Sequence, residues 1–213
     1  MKVLDKGFVE IVDVMGSDLS VVNSARVSFG KKAEKIRPRD ERLINYLWEH
    51  NHSSPFRHAT LQFHIKAPIF VLRQWMKHQV GCAWNEISGR YVEFDYEFYT
   101  PTNFRVQSKD NKQGSEGAVD LTTEQMAQEI YWDSCDSSMQ AYSALLNMGV
   151  CKEQARMVLP LNLYSECYWT ASLQAVMHFL KLREDSHAQW EIQEYARAVR
   201  EVSQEHFPIS LRL

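Results

Sequence analysis

The segment from residue 77 to residue 91, KHQVGCAWNEISGRY, mixes charged side chains with aromatic and apolar ones. Its ionisable side chains include Lys77, His78, Glu86 and Arg90. A solvated loop does not need a tryptophan, and a buried segment holds charges only when each has a partner. Ser88, Gly89 and Arg90 offer closely spaced backbone N–H groups beside a guanidinium, an arrangement that suits a phosphate. The segment therefore predicts an anion site, although this tripeptide alone is more often a simple turn.

Two later arginines are further candidates for anion binding. Arg156 precedes Pro160, and Arg183 ends a helical pattern before a polar turn. Arg183 has a structural alternative, because the helix dipole is enough to stabilise a cation near a helix C-terminus. Glu86 has one too, since it could simply hold Arg90 in place. The histidine pairs lack the helical spacing of metal ligands, so no metal site is expected.

The composition sets the class of protein. The chain has 213 residues, of which 45% are hydrophobic and 24% charged, with a formal net charge of −3. These values predict a folded globular protein that binds neither nucleic acid nor membrane. Four scattered cysteines without a C-x-x-C pair indicate free thiols, and the N-terminus lacks a small-residue cleavage site. A cytoplasmic protein is therefore expected.

The elements that must position these residues follow from the hydrophobic periodicity. Strands are predicted over residues 7–16, 59–67 and 91–99, and residues 161–170 form either a strand or an irregular crossing. Helices are predicted over residues 18–26 with Asp18 as cap, 41–50, 68 to about Gly81, 122–148, 155–159, 172–183 and 187–207. Residues 105–120 are interpreted as a mobile surface loop. The pattern predicts one α+β domain over residues 1–213, with a mixed or antiparallel sheet flanked by helices.

The signature segment resembles that of the flavin-dependent thymidylate synthases. In that family Arg-His-Arg is followed seven or eight residues later by the serine of N-E-x-S-x-R-Y; here eight residues separate Gln79 from Ser88, and NEISGRY fits as it stands. Further family-like segments occur in family order, namely LDKGFVEIVDVMGSDLSVVNSARVSF, APIFVLRQW, ARMVLPLNLY and LREDSHAQWEIQ. The resemblance covers the chain except for the loop near 105–120.

The resemblance implies a reaction, a fold and an assembly. The reaction is the methylation of dUMP to dTMP, with methylenetetrahydrofolate as carbon donor, reduced FAD as hydride donor and NADPH as the source of electrons. Members of the family are homotetramers in which each active site is shared between subunits, and their fold is a mixed sheet flanked by helices. The charges of the signature would then face a nucleotide and a flavin.

The resemblance also assigns residues to each ligand. FAD would be held by Ser54, Lys77, His78, Gln79, Glu86, Ser172, Gln174 and His178. The nucleotide dUMP would be held by Gln74, Lys77, Glu86, Ile87, Ser88, Gly89, Arg90, Arg156 and Arg183. Arg183 would act catalytically by stabilising negative charge on the uracil ring.

The chain departs from the family pattern mainly at the flavin. The family's Arg-His-Arg is Lys77-His78-Gln79 here, so one guanidinium becomes an ammonium and the other a neutral amide. Positions that are usually Asn, Arg and Asn on a later helix are Ser172, Gln174 and His178. Both segments therefore carry less positive charge, which affects the FAD contacts more than the dUMP contacts.

Two alternatives to the enzyme remain open from the sequence. One is a nucleotide-binding protein that kept the scaffold and lost turnover, and it rests on those departures. The other is a nucleic-acid-binding module, which is supported by the basic stretch over residues 31–39 and by the aromatic residues. The acidic balance of the chain weighs against the second.

Overall fold

The computed structural model describes residues 1–93 and 97–212, and its main sheet is antiparallel at every pairing. The strands of this sheet lie in the order β1 (Lys2–Val3), β2 (Gly7–Met15), β3 (Thr60–Pro68), β7 (Tyr164–Ser172) and β4 (Cys82–Glu86). A separate hairpin consists of β5 (Arg105–Gln107) and β6 (Ser115–Ala118). The α-helices are α1 (Asp18–Arg26), α2 (Pro38–Glu49), α3 (Ile69–Trp75), α4 (Leu121–Asn147), α5 (Lys152–Ala155), α6 (Leu173–Arg183) and α7 (Trp190–Gln204). The predicted α+β class is confirmed, with the sheet antiparallel.

The long central strands carry the core. In β3 the alternate residues Leu61, Phe63 and Ile65 are fully buried, as the period-two pattern predicted. Across the ladder Phe63 pairs with Trp169 of β7, and their rings stack with centroids 5.2 Å apart. The undecided segment 161–170 is therefore largely a strand, because alternate residues from Leu163 onward are buried at the centre of the sheet.

An aromatic cluster joins the sheet to the helices that carry candidate site residues. Trp75, the last residue of α3, stacks on Phe179 of α6 with ring centroids 4.5 Å apart and meets Trp169 edge-on at 5.2 Å. All three side chains are fully buried. The cluster fixes the end of α3 against the middle of α6, and so it brings the segment after α3 next to α6.

The helix predicted to run from Pro68 to about Gly81 is wrong at both ends. Pro68 closes β3 with extended backbone, at φ −60° and ψ 144°, and the helix ends at Trp75. The first helical N–H groups, of Ile69 and Phe70, donate to carbonyls of residues 163 and 161, which prolongs the strand pairing into the helix. Lys77 and His78 therefore lie beyond the helix, and Arg73 and Lys77 do not share a helical face.

One strand was missed, one predicted segment needs correction and one lies partly outside the described residues. Residues 82–86, which carry part of the signature and for which no element was predicted, form β4, because Trp84 pairs with Trp169 and their rings stack at 5.5 Å. The interval 105–120 is not wholly a loop, since β5 and β6 pair across it. Of the predicted strand 91–99, residues 94–96 are outside the described part; residues 91–93 are not in a strand, and Phe98 makes one bridge to Leu163.

Asp18 was predicted to cap α1, but Ser17 does so, with its hydroxyl accepting from the backbone N–H of Leu19. Asp18 is buried instead and holds the C-terminal segment. Its carboxylate accepts from the backbone N–H of Ile209 at 2.8 Å and from the backbone N–H and hydroxyl of Ser210 at 3.1 and 2.5 Å. In the described ranges, no helix is both long and apolar enough to cross a membrane.

We expect Asp18→Ala to lower the free energy of unfolding by about 2–3 kcal/mol, because three donors, two of them buried, lose a charged acceptor. Urea unfolding followed by circular dichroism measures the change. Glu129→Ala, at an exposed position of α4, is the matched control and should change it by less than about 0.5 kcal/mol. Equal values for the two variants would show that the contact adds nothing to stability.

Candidate active site

Arg183 and His78 form the centre of the candidate site. Arg183 is the last residue of α6, and its Nε donates to Nε2 of His78 at 3.0 Å. Its Nη2 also donates to the backbone carbonyl of Gln74 at 3.3 Å. Burial, then the charge of Arg183 and then His178, lower the pKa of His78 to about 4. His78 is therefore a neutral acceptor near neutral pH, and it holds the guanidinium in one orientation.

A cavity of about 410 Å³, here called the His78 cavity, surrounds this pair. Its lining consists of Lys77, His78, Gln79, Val80, Gln174, Ala175, His178, Leu182 and Arg183. Six residues of the predicted set thus lie together: Lys77, His78, Gln79, Gln174, His178 and Arg183. Within the part of the chain that the structure describes, this lining carries two formal cations and no carboxylate. Such a cavity suits an anionic ligand with polar edges.

One cation near the His78 cavity was missed from the sequence. Arg57 donates through Nε to the side-chain oxygen of Gln174 at 2.6 Å. Arg57 lies in the short 3-10 helix Ser54–His58, three residues after Ser54. Gln174 stands where the family usually has an arginine, and the guanidinium of Arg57 replaces part of that positive charge. Only the packing of this turn against α6 could reveal it.

Ser172 has a structural task in the chain. It is the N-cap of α6, and its hydroxyl accepts from the backbone N–H of Ala175 at 3.3 Å. Gly81 packs over it at φ +75°, where an added Cβ would come within 2.8 Å of the hydroxyl. The glycine is therefore required both by backbone conformation and by the closeness of Ser172. This contact sets where the loop of residues 77–80 turns into β4.

A second cavity, of about 270 Å³, lies beside the other end of β4 and is here called the Glu86 cavity. Glu86, Ile87 and Arg156 are the members of the predicted set that line it. Glu86 is held by the hydroxyl of Ser165, which donates to Oε1 at 2.6 Å. The alternative in which Glu86 holds Arg90 is wrong in this structure, because the contacts of Arg90 are with its neighbour Tyr91.

The Ser-Gly-Arg segment does form a turn just beyond this cavity. The backbone N–H of Tyr91 donates to the carbonyl of Ser88 at 2.9 Å, and the N–H of Arg90 donates to the Ser88 hydroxyl at 3.4 Å. Gly89 is buried, whereas the Arg90 side chain is exposed, with its guanidinium over the Tyr91 ring at 5.2 Å. The turn is therefore formed and its cation is accessible.

One chain does not bring the three predicted arginines into one pocket. Arg183 lines the His78 cavity, Arg156 lines the Glu86 cavity, and Arg90 lies in the turn outside both. The five-residue strand β4 lies between the two cavities along the chain, and its four intervals of roughly 3.4 Å span about 14 Å. The physical reason is the pairing of β4 with β7, which keeps this part of the signature extended.

Sequence reasoning also missed a polar network behind Gln74. The side chain of Gln74 donates to Gln189, Gln189 donates to Glu191, and Glu191 is paired with Arg105 of β5 at 2.8 Å. Gln189 and Glu191 lie in the family-like segment AQWEIQ, to which no role was assigned. Two further cavities, of about 470 and 520 Å³, share Arg105, Ser115 and Gln189 in their linings.

Comparison with known proteins identifies the family. The model of a family described as thymidylate synthase complementing protein matches residues 10–209. A flavin-dependent thymidylate synthase of Thermus thermophilus is 51% identical over 214 residues, covering 98% of this chain and 75% of the relative. Another, of Kosmotoga olearia, is 47% identical over 210 residues, covering 99% and 90%.

A solved structure agrees with the sequence comparisons. The crystal structure of a UMP/dUMP methylase, PolB from Streptomyces cacaoi bound with 5-Br dUMP, matches with a TM-score of 0.88 and 32% identity. The match covers 100% of this chain and 96% of that one. Because the family model and these relatives span nearly the whole length of the sequence, this chain belongs to the flavin-dependent thymidylate synthase family.

Proposed function

We propose that this protein methylates dUMP to dTMP with a flavin as reductant. The observation that carries the proposal is the pairing of Arg183 with a neutral His78 in a cationic cavity, within a chain that matches the family model over residues 10–209. The names of the relatives support a flavin, and the neighbour bound with 5-Br dUMP supports the nucleotide. We place the reaction in the cytoplasm, where the four free cysteines would remain reduced.

The residues of the His78 cavity fit a flavin nucleotide. Lys77 and the adjacent Arg57 supply positive charge for its phosphates, while Gln79 and Gln174 supply amide donors. His78 and His178, whose ring centroids are 5.9 Å apart, offer flat apolar faces. When bound, the flavin would supply the hydride that completes the methyl group. We assign FAD as this flavin, NADPH as its reductant and methylenetetrahydrofolate as the carbon donor, following the family resemblance.

Arg183 would hold the uracil ring and stabilise the negative charge that develops on it during reaction at carbon. Two of its N–H groups are already engaged by His78 and by the carbonyl of Gln74, so its remaining donors have a fixed direction. Preorganised donors of this kind stabilise charge at no reorganisation cost in the transition state. No protein nucleophile is needed, and Ser88 acts as a phosphate binder through its turn.

The second half of the site would come from another subunit. The Glu86 cavity and the Ser88–Gly89–Arg90 turn supply Glu86, Arg156 and Arg90, which one chain holds away from Arg183. Large apolar side chains near Arg156 are exposed in the single chain, with Met157 at 77% and Leu161 at 49%. Exposed apolar surface of this kind marks an interface. Following the family resemblance, we assign a homotetramer whose active sites combine these residues with Arg183 of a neighbouring copy.

Replacing Arg183 tests the catalytic role. We expect Arg183→Ala to lower kcat by about a hundredfold or more, because a preorganised cation is lost from the transition state. Tritium release from 5-tritiated dUMP in the presence of methylenetetrahydrofolate and NADPH measures turnover, and the visible absorbance of the purified protein measures bound flavin. The flavin should remain, since Lys77 and Arg57 are intact.

The matched control is Lys181→Ala, an exposed cation on the same helix that should leave both readouts unchanged. Undiminished turnover in Arg183→Ala would refute the role given to this arginine. Wild-type protein that binds dUMP without releasing label would instead favour the alternative of a nucleotide-binding protein without turnover.

A complementation experiment tests the shared site. Arg183→Ala and Arg156→Ala chains, each inactive alone at low dUMP, are coexpressed with different tags and purified as mixed oligomers. If each site takes Arg183 from one subunit and Arg156 from another, random mixing should restore about a quarter of wild-type activity. Activity no higher than that of the single variants would place both arginines of a site in the same chain.

The pH dependence of stability tests the neutral His78. Its pKa of about 4 in the folded protein lies below the ordinary value of 6.5, so the unfolded chain binds the proton first as the pH falls. Stability is therefore lost progressively from about pH 6.5 down to about pH 4. We expect His78→Gln to lose about 1 kcal/mol less over this interval than wild type, a value reduced for the partial exposure of the ring.

Urea unfolding at several pH values between these limits measures the difference. His52→Gln, at an exposed position away from the cavity, is the control and should follow the wild-type curve. A His78→Gln curve parallel to that of wild type would mean that this histidine titrates normally in the folded protein.

A further inference from the structure

The cavity of about 470 Å³, here called the aromatic cavity, is lined by residues of α4, of the hairpin β5–β6 and of the segment 160–162. None of the residues assigned above to FAD or to dUMP lines it. Its walls carry two pairs of aromatic rings. The rings of Phe70 and Tyr99 have centroids 5.8 Å apart, and those of Phe104 and Tyr131 lie 5.6 Å apart. Concave surfaces rich in aromatic side chains, with a few polar groups, are typical of sites for small molecules.

The charges of the aromatic cavity cancel. Among the lining residues that the structure describes, Arg105 and Glu191 are the ones with a formal charge, and Nη2 of Arg105 donates to Oε1 of Glu191 at 2.8 Å. Both are engaged further, since Arg105 also donates to the hydroxyl of Ser115 and Glu191 accepts from the hydroxyl of Tyr99. The His78 cavity, with two cations and no carboxylate, suits an anion, whereas the aromatic cavity suits an uncharged ligand.

Asn162, which lines the aromatic cavity, has an amide whose orientation is fixed. The hydroxyl of Tyr131 donates to the backbone carbonyl of Tyr99 at 2.6 Å, and burial raises the pKa of Tyr131 to about 12, so the hydroxyl keeps its proton. The Tyr131 oxygen must then accept, and Nδ2 of Asn162 donates to it at 2.7 Å. The same amino group donates to Sγ of Cys135 at 3.1 Å. The side-chain oxygen Oδ1 of Asn162 is left over, and across residues 1–93 and 97–212 no donor to it is found.

We propose that the aromatic cavity binds a small, flat and uncharged heteroaromatic molecule, whose ring N–H donates to Oδ1 of Asn162. The aromatic walls supply stacking and edge contacts for such a ring. A half-buried acceptor without a partner favours a ring that carries a donor over one of the same shape that does not. The proposal does not rest on dUMP methylation, because the cavity lies outside the residues assigned to that reaction. Leu161 at its rim also belongs to the exposed apolar surface assigned to a neighbouring copy, so the cavity opens beside that interface.

Binding calorimetry on the full-length protein in its assembled state tests the site, with indole and benzofuran as probes. The two molecules have nearly the same shape, and the N–H of indole is an oxygen atom in benzofuran. We expect indole to bind about tenfold more tightly than benzofuran, as for one hydrogen bond to an otherwise unpaired acceptor. Saturating dUMP should leave the affinity for indole unchanged, because the two ligands would occupy different cavities.

Three variants locate the bound probe. Asn162→Leu removes the acceptor and nearly keeps the size of the side chain, so the indole-to-benzofuran affinity ratio should fall to about one. Ser134→Trp places a large ring in the cavity from an exposed position of α4, and it should abolish binding of both probes. Ser137→Trp is the matched control, because Ser137 is exposed on the same helix and outside the lining, and it should keep the wild-type affinities.

Equal affinities for the two probes in wild type would overturn the contact with Asn162. Wild-type protein that binds neither probe would overturn the site itself, and this includes the case in which a neighbouring copy covers the cavity. Unchanged indole binding in Ser134→Trp, or displacement of indole by dUMP, would place the probe elsewhere and equally refute the proposal. If Asn162→Leu does not fold, the wild-type ratio and Ser134→Trp decide together. Failure of the proposed function is read separately, from the release of tritium.

Discussion

The hydrogen bond from Arg183 to a neutral imidazole is the interaction on which the candidate site depends. A guanidinium can donate to His78 only while Nε2 of the ring carries no proton, and partial burial against Phe179 and α6 keeps it so. If His78 were protonated, two cations would face each other and Arg183 would lose its fixed direction. The aromatic cluster of Trp75, Trp169 and Phe179 is therefore part of the site, because it holds the end of α3 against α6.

The extended strand β4 sets the second constraint. The signature begins at the His78 cavity and ends at the Glu86 cavity, and its pairing with β7 keeps these two regions apart within one chain. A folded-back loop would let one chain close both cavities around a single nucleotide. The strand instead keeps the two sets of residues in separate cavities, which is the geometry that the proposed assembly from neighbouring copies requires. Exposed apolar side chains beside Arg156 agree with this assembly.

Buried carboxylates in this protein act as fixed acceptors that organise distant segments. Asp18 binds the C-terminal turn, and Glu191 joins β5, the segment around Tyr99 and the start of α7. In both cases the carboxylate is almost wholly buried and fully supplied with donors, which is the condition for holding a charge inside a protein. Glu191 differs from Asp18 in one respect. Its donor Gln189 also accepts a hydrogen bond from Gln74, so Glu191 is connected to Gln74 through Gln189.

The sequence alone determined the periodic elements, the fold class and the residues that could do chemistry. Strand β3 and helices α6 and α7 follow from local patterns of two or about three and a half residues, which need no tertiary information. The signature itself was likewise a short local pattern. Strand β4 within the signature was missed, because it is held by a long-range contact in which Trp84 stacks on Trp169 of another strand.

Tertiary structure decided the contacts that give those residues their properties. Arg183 and His78 are 105 positions apart, Gln74 and Gln189 are 115 apart, and Arg57 and Gln174 are 117 apart. The lowered pKa of His78, the hold of Ser165 on Glu86 and the direction of the Gln74 amide all arise from such long-range contacts. Burial and hydrogen-bond direction depend on the groups that surround a side chain in the folded protein. The sequence specifies which groups are present, but it does not specify which of them are in contact.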